Sequence, residues 1–481
     1  MTSFVSMLAN LIQPRFAHAF GQRYELPIPL ALFVVAGAGV VLLSFFVVLG
    51  RRLKPATELA GADRPPVKPI RPIWAALSLL GLSGLVAIGF FGSQAVPENI
   101  LPTLFWVVTW VGVALSCGII GDWTTPLNPF ANLAKLAASA RFRHLILART
   151  APMDWPKTLG WWPAVILFYG VIAGELIFNT SMTVPGNMAM ALLVYAIVCA
   201  AAGLIFGQAW LDKGEVFTVL FNTWGRLGYF RFGSPGRRGF LGGLDLPFAA
   251  DPSRVTFIVM LLASVSFDGL LSTPLWSHIQ HQLPNWVAVG TMGYNVLPLL
   301  AFALVAACLW GLFTVFAMGV SRAGSHHSTP LQALTGLLPS LLPISFAYLL
   351  AHYLQYLLIN GQLMFPLIGN PAGSDSWPLH LPYPFNDSYE PNTHILSTGT
   401  AWYFAVAVIV IAHILAVVLA HRHLVTAGKT EAAARSSEYP WIAAMVAYTM
   451  LSLWLLAQPL VKDDTGPTSS APPVTQPVAL R

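Results

Sequence analysis

Four ionisable side chains interrupt long apolar stretches: Glu175 in Ala173-Gly174-Glu175-Leu176, Asp268 in Ser266-Phe267-Asp268-Gly269, His352 in Ala351-His352-Tyr353 and His413 in Ala412-His413-Ile414. Such groups are expensive among apolar neighbours, and they are the ones that move protons or hold metals there. Ser345, Tyr348, His352, Gln355 and Tyr356 recur at 3–4 spacing, which puts them on one helix face. Tyr348 and Gln355 are then the side chains expected to hold the His352 imidazole. Ser264 and Asp268, one helical turn apart, also share a face. Two further histidines, His278 and His281, are close enough for one turn to present both, and His380, Asp387, Glu390 and His394 cluster in a polar segment. Imidazoles and carboxylates together are the ligand set of Zn²⁺ or another first-row metal, whose bound water becomes a nucleophile near neutral pH. The candidate catalytic residues are Asp268, His352 and Glu175, and the candidate metal ligands are His352, Asp268, His413, His278 and His281. Plainer readings stand beside these: Glu175 paired with Asn179 at i+4, His413 as a core hydrogen-bonding residue, His278 and His281 simply solvated. His421 lies about 12 Å along a helix from His413, so the two cannot share an ion. With Arg422 and His423 it reads as the inner boundary of a span, and His326 and His327 read as loop residues.

These residues must be positioned by membrane-spanning helices. Of 481 residues, 56% are apolar and only 9% are charged, against roughly 25% charged in an ordinary soluble domain. Apolar stretches of spanning length fall at about 27–49, 70–92, 100–121, 158–178, 187–210, 254–273, 294–319, 331–359, 401–420 and 440–457. The expected fold is all-α, a polytopic transmembrane bundle of about ten spans, because lipid admits no open sheet. Of the 25 Lys and Arg, 21 lie in the links after odd-numbered spans, four in the termini and none in the links after even-numbered spans. By the positive-inside rule the basic links are cytoplasmic and both termini are outside. Despite a net charge of +6, no basic stripe interleaved with aromatics exists, so nucleic acid is excluded as a partner. Three cysteines, all inside apolar runs, argue against disulfides and a thiolate metal cage.

Within a single transmembrane domain over 27–457, two segments look like amphipathic helices on the inner surface. Residues 126–149 open with a capping Asn128 and with Pro129, then alternate leucines with Lys135, Arg141, Arg143 and Arg149. Residues 214–232 set Phe217, Phe221, Trp224 and Phe230 beside Arg226 and Arg231. A span followed by such a helix thus occurs twice, a hint of an internal parallel repeat. Residues 360–400 form an outer loop long enough to be a lid or binding loop, while Gly233–Gly243 reads as a flexible inner loop. Pro339 and Pro343 are expected to interrupt the eighth span, as helices break at transporter binding sites. Residues 1–26 form an outer leader, in which cleavage after Ala17 would give His18 a metal-binding amino terminus. Residues 458–481 form a disordered outer tail.

The ordered set Ala17-His18-Ala19-Phe20-Gly21, Leu26-Pro27-Ile28-Pro29, Gly121-Asp122-Trp123, Leu127-Asn128-Pro129-Phe130, Phe267-Asp268-Gly269, Ala351-His352-Tyr353, Ala401-Trp402-Tyr403, Ala412-His413, Leu419-Ala420-His421 and Gln458-Pro459-Leu460 resembles bacterial membrane proteins named fenitrothion hydrolase. The chain departs from that family after His18, where Ala19-Phe20-Gly21-Gln22-Arg23 replaces a Gly-rich run. The resemblance implies a hydrolase of organophosphorus triesters in the bacterial inner membrane, acting on small apolar substrates that partition into the bilayer, with a divalent metal assisting. It also leaves room for a homo- or hetero-oligomer with a similar subunit. A transporter or metal-handling permease, using the same buried residues for cargo, is the alternative.

Overall fold

The computed structural model describes residues 30–49, 72–232, 242–245, 248–284, 292–324, 328–427 and 431–457. The leader, His18, the C-terminal tail, His326, His327 and most of the 233–243 loop lie outside the described residues. Within them the fold is all-helical. The helices are α1 (Leu30–Leu49), α2 (Pro72–Phe91), α3 (Ile100–Ile120), α4 (Pro129–Ala137), α5 (Ala140–Leu147), α6 (Trp162–Leu176), α7 (Pro185–Phe206), α8 (Gln208–Lys213), α9 (Val216–Gly225), α10 (Pro252–Leu271), α11 (Pro274–His281), α12 (Val296–Ala323), α13 (Pro330–Asn360), α14 (Met364–Gly369), α15 (Thr398–Ala427) and α16 (Glu431–Ala457).

Each of the ten apolar stretches lies on a helix, and seven of these helices (α2, α3, α7, α10, α12, α13 and α15) are long and apolar enough to cross a membrane. The protein is therefore a helical membrane protein. Leu43, Leu80, Ile166, Leu300 and Leu304 are each more than 60% exposed, an apolar girdle suited to lipid rather than to water.

Local sequence starts these helices. Asn128-Pro129, Asp251-Pro252, Thr273-Pro274 and Thr329-Pro330 each place a capping side chain before a proline at the first helical position. The cap accepts from an otherwise orphaned N–H, and proline has none to lose there. Thr329 and Gln332 complete a reciprocal capping box. Beyond it α13 runs unbroken through Pro339 and Pro343, correcting the expectation of an interrupted span. Leu337, Leu338, Leu341 and Leu342 are almost fully enclosed, and packing on all sides holds the turn that the prolines weaken.

The links gather at two ends. At one, the basic end, Arg143 donates to the Leu204 carbonyl (2.7 Å), Lys213 and Arg254 lie over the Trp161 ring, and Arg226 and Arg254 lie over Phe248. At the opposite end, Gln94 accepts from the Gly186 N–H (3.0 Å) and the Ser93 N–H donates to the Ala372 carbonyl (2.7 Å). The 360–400 loop is tied down there, since Gln362 bonds both Tyr389 and the Asn392 backbone.

The two segments expected on the inner surface differ in how far they are enclosed. Residues 126–149 form two helices broken at Ala138–Ser139. Helix α5 exposes Phe142, Leu145 and Ile146, but α4 buries Phe130, Ala131 and Ala134. Gly203 of α7 lets the Ala134 backbone approach so closely that any Cβ would collide with it. Helix α9 is buried nearly throughout, from Val216 to Gly225, so it is an internal helix, not an interfacial one. Its aromatics stack into the core: Phe130 stacks on Phe217 at 5.6 Å, and Trp224 meets Phe346 at 5.6 Å. Burying these rings among protein is worth more than leaving one side to headgroups.

Candidate functional site

Helices α10 and α13 approach most tellingly near the end opposite the basic links. Asp268, three residues before the end of α10, places Oδ2 2.6 Å from His352 Nε2 on α13. Asp268 is enclosed, while the imidazole keeps 18% of its side-chain surface exposed. Beside this pair stands Glu175, near the end of α6. Its Oε1 accepts from the Tyr353 hydroxyl (2.7 Å) and its Oε2 from the Trp110 indole N–H (2.8 Å). Glu175 lies within electrostatic reach of both Asp268 and His352. Two carboxylates, an imidazole, a phenol and an indole from α3, α6, α10 and α13 thus form one cluster, which unites Asp268, His352 and Glu175.

Trp110 reaches Glu175 because of an irregularity in α3. From Thr103 to Val113 the backbone is a π-helix, wider than an α-helix. That stretch carries Trp106, whose indole donates to the Met182 carbonyl (3.0 Å), and Trp110 one turn on. Both tryptophans thereby hold the end of α6 and the turn after it. Glu175 does not pair with Asn179; α6 ends at Leu176, and both carboxylate oxygens are taken by the aromatics.

Of the expected supports of His352, Tyr348 is corrected. The Tyr348 hydroxyl and Gln355 Oε1 are buried with no hydrogen-bond partner among the described residues, so neither oxygen holds the imidazole. Asp268 orients it instead, with the Tyr353 ring against it at 4.7 Å. The other proposed ligands lie elsewhere. His413 is fully enclosed, its Nδ1 donating to the Ile409 carbonyl (2.8 Å) and its ring facing Tyr448. His278 and His281 are exposed on α11, bonded to Gln282 and to the Ser277 carbonyl within their own turn. His380, Asp387, Glu390 and His394 are exposed in the loop. Among the described residues no three His, Cys, Asp or Glu side chains are grouped to hold one ion. The His352 nitrogen facing Asp268 is engaged by it, and Glu175 has both oxygens committed. This arrangement fits an acid–base pair and does not fit the expected metal cage.

Two buried carboxylates lie outside the sequence reading. Glu438 on α16 places Oε1 2.6 Å from His421 Nδ1 on α15, and both side chains are less than 10% exposed. His421 is therefore half of a second buried histidine–carboxylate pair, not a boundary marker. Glu215, fully enclosed, caps α9 and accepts from Phe217 N, Thr218 N, the Thr218 hydroxyl, the Tyr195 hydroxyl and Asn128 Nδ2. Since Asn128 caps α4 with its oxygen while giving its amide N–H₂ to Glu215, the starts of α4 and α9 are locked together.

Fold and site together define a helical membrane protein with a histidine–carboxylate cluster set into one end of its bundle. No protein-family model, no curated protein and no solved structure matches the chain.

Proposed function

We propose that the protein is a membrane-embedded hydrolase of small apolar organophosphorus triesters, with His352 as general base and Asp268 as its orienting carboxylate. The observation that carries this reading is the 2.6 Å contact between an enclosed Asp268 and a His352 that keeps a small part of its ring exposed. A carboxylate that fixes one ring nitrogen sets the tautomer and leaves the other edge of the ring to take a proton. In the proposed step, water attacks phosphorus while its proton passes to the imidazole. The bond from phosphorus to the aryl oxygen breaks, the aryloxide leaves, and the imidazolium returns its proton to solvent. The negative charges of Asp268 and Glu175 favour the imidazolium that forms. An apolar triester would enter laterally from the bilayer. Ten spans, both termini outside and residence in a bacterial inner membrane complete the proposal. The gathering of the basic links at one end supports that topology.

Release of nitrophenolate from an aryl dialkyl phosphorothioate by purified protein in detergent tests this. Asp268→Asn and His352→Ala should each lower turnover by about 100-fold or more while the protein elutes as the wild type. Unchanged turnover in both variants would refute the assignment. A second reading, a permease, is favoured by the His421–Glu438 pair on the same bundle. It requires uptake into sealed vesicles, lost in the same variants, with no turnover in detergent.

A further inference from the structure

The two histidine–carboxylate pairs occupy opposite halves of one helix bundle. Helices α15 and α16 run antiparallel, since His421 meets Glu438 and, eight residues earlier on α15, His413 meets Tyr448 further along α16. Helices α13 and α16 run parallel, with Ser340 bonded to Trp441 and Tyr348 facing Tyr448. His421 and Glu438 therefore lie towards the basic end, and His352 with Asp268 towards the other. Between them, along the seam of α10, α13, α15 and α16, stand His413, Tyr448 bonded to Ser266 (2.9 Å), and Tyr348. Three polar atoms in this seam are buried without a hydrogen-bond partner among the described residues: His413 Nε2, the Tyr348 hydroxyl and Glu438 Oε2. A buried polar atom left unmet is costly, and the usual remedy is water.

We infer that this seam is hydrated and carries protons across the membrane between the Asp268–His352 pair and the Glu438–His421 pair, with His413 as the midway relay. His413 Nδ1 keeps its proton on the Ile409 carbonyl. A travelling proton therefore arrives at Nε2 and departs from Nε2, and the ring ends as it began. The hydroxyls of Tyr348, Tyr448 and Ser340 can each accept one proton and pass on another. From His413 to His421 the rise along α15 is about 12 Å, a span that hydroxyls and water together can bridge. No oxidant or co-reactant is needed. The inference goes beyond the hydrolase proposal and does not depend on it.

The test is proton flux into liposomes holding a pH-sensitive dye. They are reconstituted with the full-length protein, without any organophosphorus substrate, under an imposed pH gradient with potassium and valinomycin to clamp the potential. Wild-type vesicles should acidify well faster than protein-free vesicles. His413→Phe and Glu438→Gln should each lower the protein-dependent flux about tenfold or more. Tyr448→Phe, which keeps the ring and removes only the hydroxyl, should lower it too and guards against a His413 variant that fails to fold. Wild-type flux equal to that of protein-free vesicles overturns the inference, as does full flux in folded His413→Phe. Turnover in detergent should survive His413→Phe, so loss of flux with retained hydrolysis separates the two proposals.

Discussion

Glu175 offers a test of the cluster that needs no substrate. Its two oxygens receive hydrogen bonds from groups of different kinds, the Trp110 indole, which can only donate, and the Tyr353 hydroxyl, which can donate or accept. In Glu175→Gln the amide oxygen must therefore face Trp110, and the amide N–H₂ faces Tyr353, whose hydroxyl turns round to accept. Both contacts survive in number, and the cost should stay under about 1 kcal/mol. Glu175→Ala instead orphans two donors on largely enclosed side chains, at about 1–3 kcal/mol each, so a loss of about 2–6 kcal/mol is expected. Tyr353→Phe removes one donor, and a double-mutant cycle with Glu175→Ala should return a coupling of about 1.5–3 kcal/mol, the range for a hydrogen bond to a charged group. Unfolding in mixed micelles by increasing SDS, followed by tryptophan fluorescence, reads all four species. Equal stability of the Gln and Ala variants, or a coupling near zero, would show that Glu175 is not held by these two aromatics, and the geometry of the cluster would fall with it.

Reporter fusions check the topology: fusions at Gly186 should report the outside and at Thr430 the inside, and a cysteine placed at Ala138 should resist an impermeant label applied outside sealed cells. The reverse pattern would invert the proposed orientation. Gly203→Val should destabilise the protein by about 1–3 kcal/mol in the same SDS titration, because its side chain would meet the Ala134 backbone, which cannot swing aside as a flexible side-chain tip would. A neutral Gly203→Val would mean that α4 and α7 are not in close contact.

Much of this architecture is legible from hydropathy and charge alone, because lipid punishes polar groups hard enough to write the helices into composition. The same penalty marks Asp268, His352 and Glu175, and the structure brings those three together. Their partners are less legible. Trp110 and Tyr353 are aromatic residues among aromatic residues, and nothing in spacing says which indole or phenol will meet a carboxylate. The π-helix that turns Trp110 towards α6 has no sequence signature at all. Tyr348 shares a helix face with His352 by spacing, yet its hydroxyl does not hold the imidazole. Glu438 is hidden in the sequence for a different reason. Hydropathy ends the ninth span at 420 and begins the tenth at 440, whereas the helices run Thr398–Ala427 and Glu431–Ala457. A buried histidine–carboxylate pair between the ends of two helices looks, in a hydropathy profile, like the edge of the membrane.

The placement of Asp268 and His352 follows the enclosure of their helices. An exposed charge at the centre of a spanning helix costs about 2.5–3.5 kcal/mol even on the lenient scale of membrane insertion. Helices α2 and α12, whose spanning windows are only 11% and 22% buried within the protein, carry no Asp, Glu or His in those windows. Helices α10 and α13, at 72% and 78% buried, carry Asp268 and His352. Enclosure alone does not make a buried pair favourable, since replacing such a pair with well-packed apolar side chains is often neutral or stabilising. A bundle selected for stability alone would have little use for two of them, with a lone buried histidine between. That α10 and α13 keep one such pair while α15 and α16 keep a second at the other end of the same seam is what points to chemistry or transfer within the bundle. The SDS titration can weigh this: a His421→Leu, Glu438→Leu double variant should be no less stable than the wild type if the pair is kept for function. A loss of more than about 3 kcal/mol would instead assign the pair to holding α15 against α16.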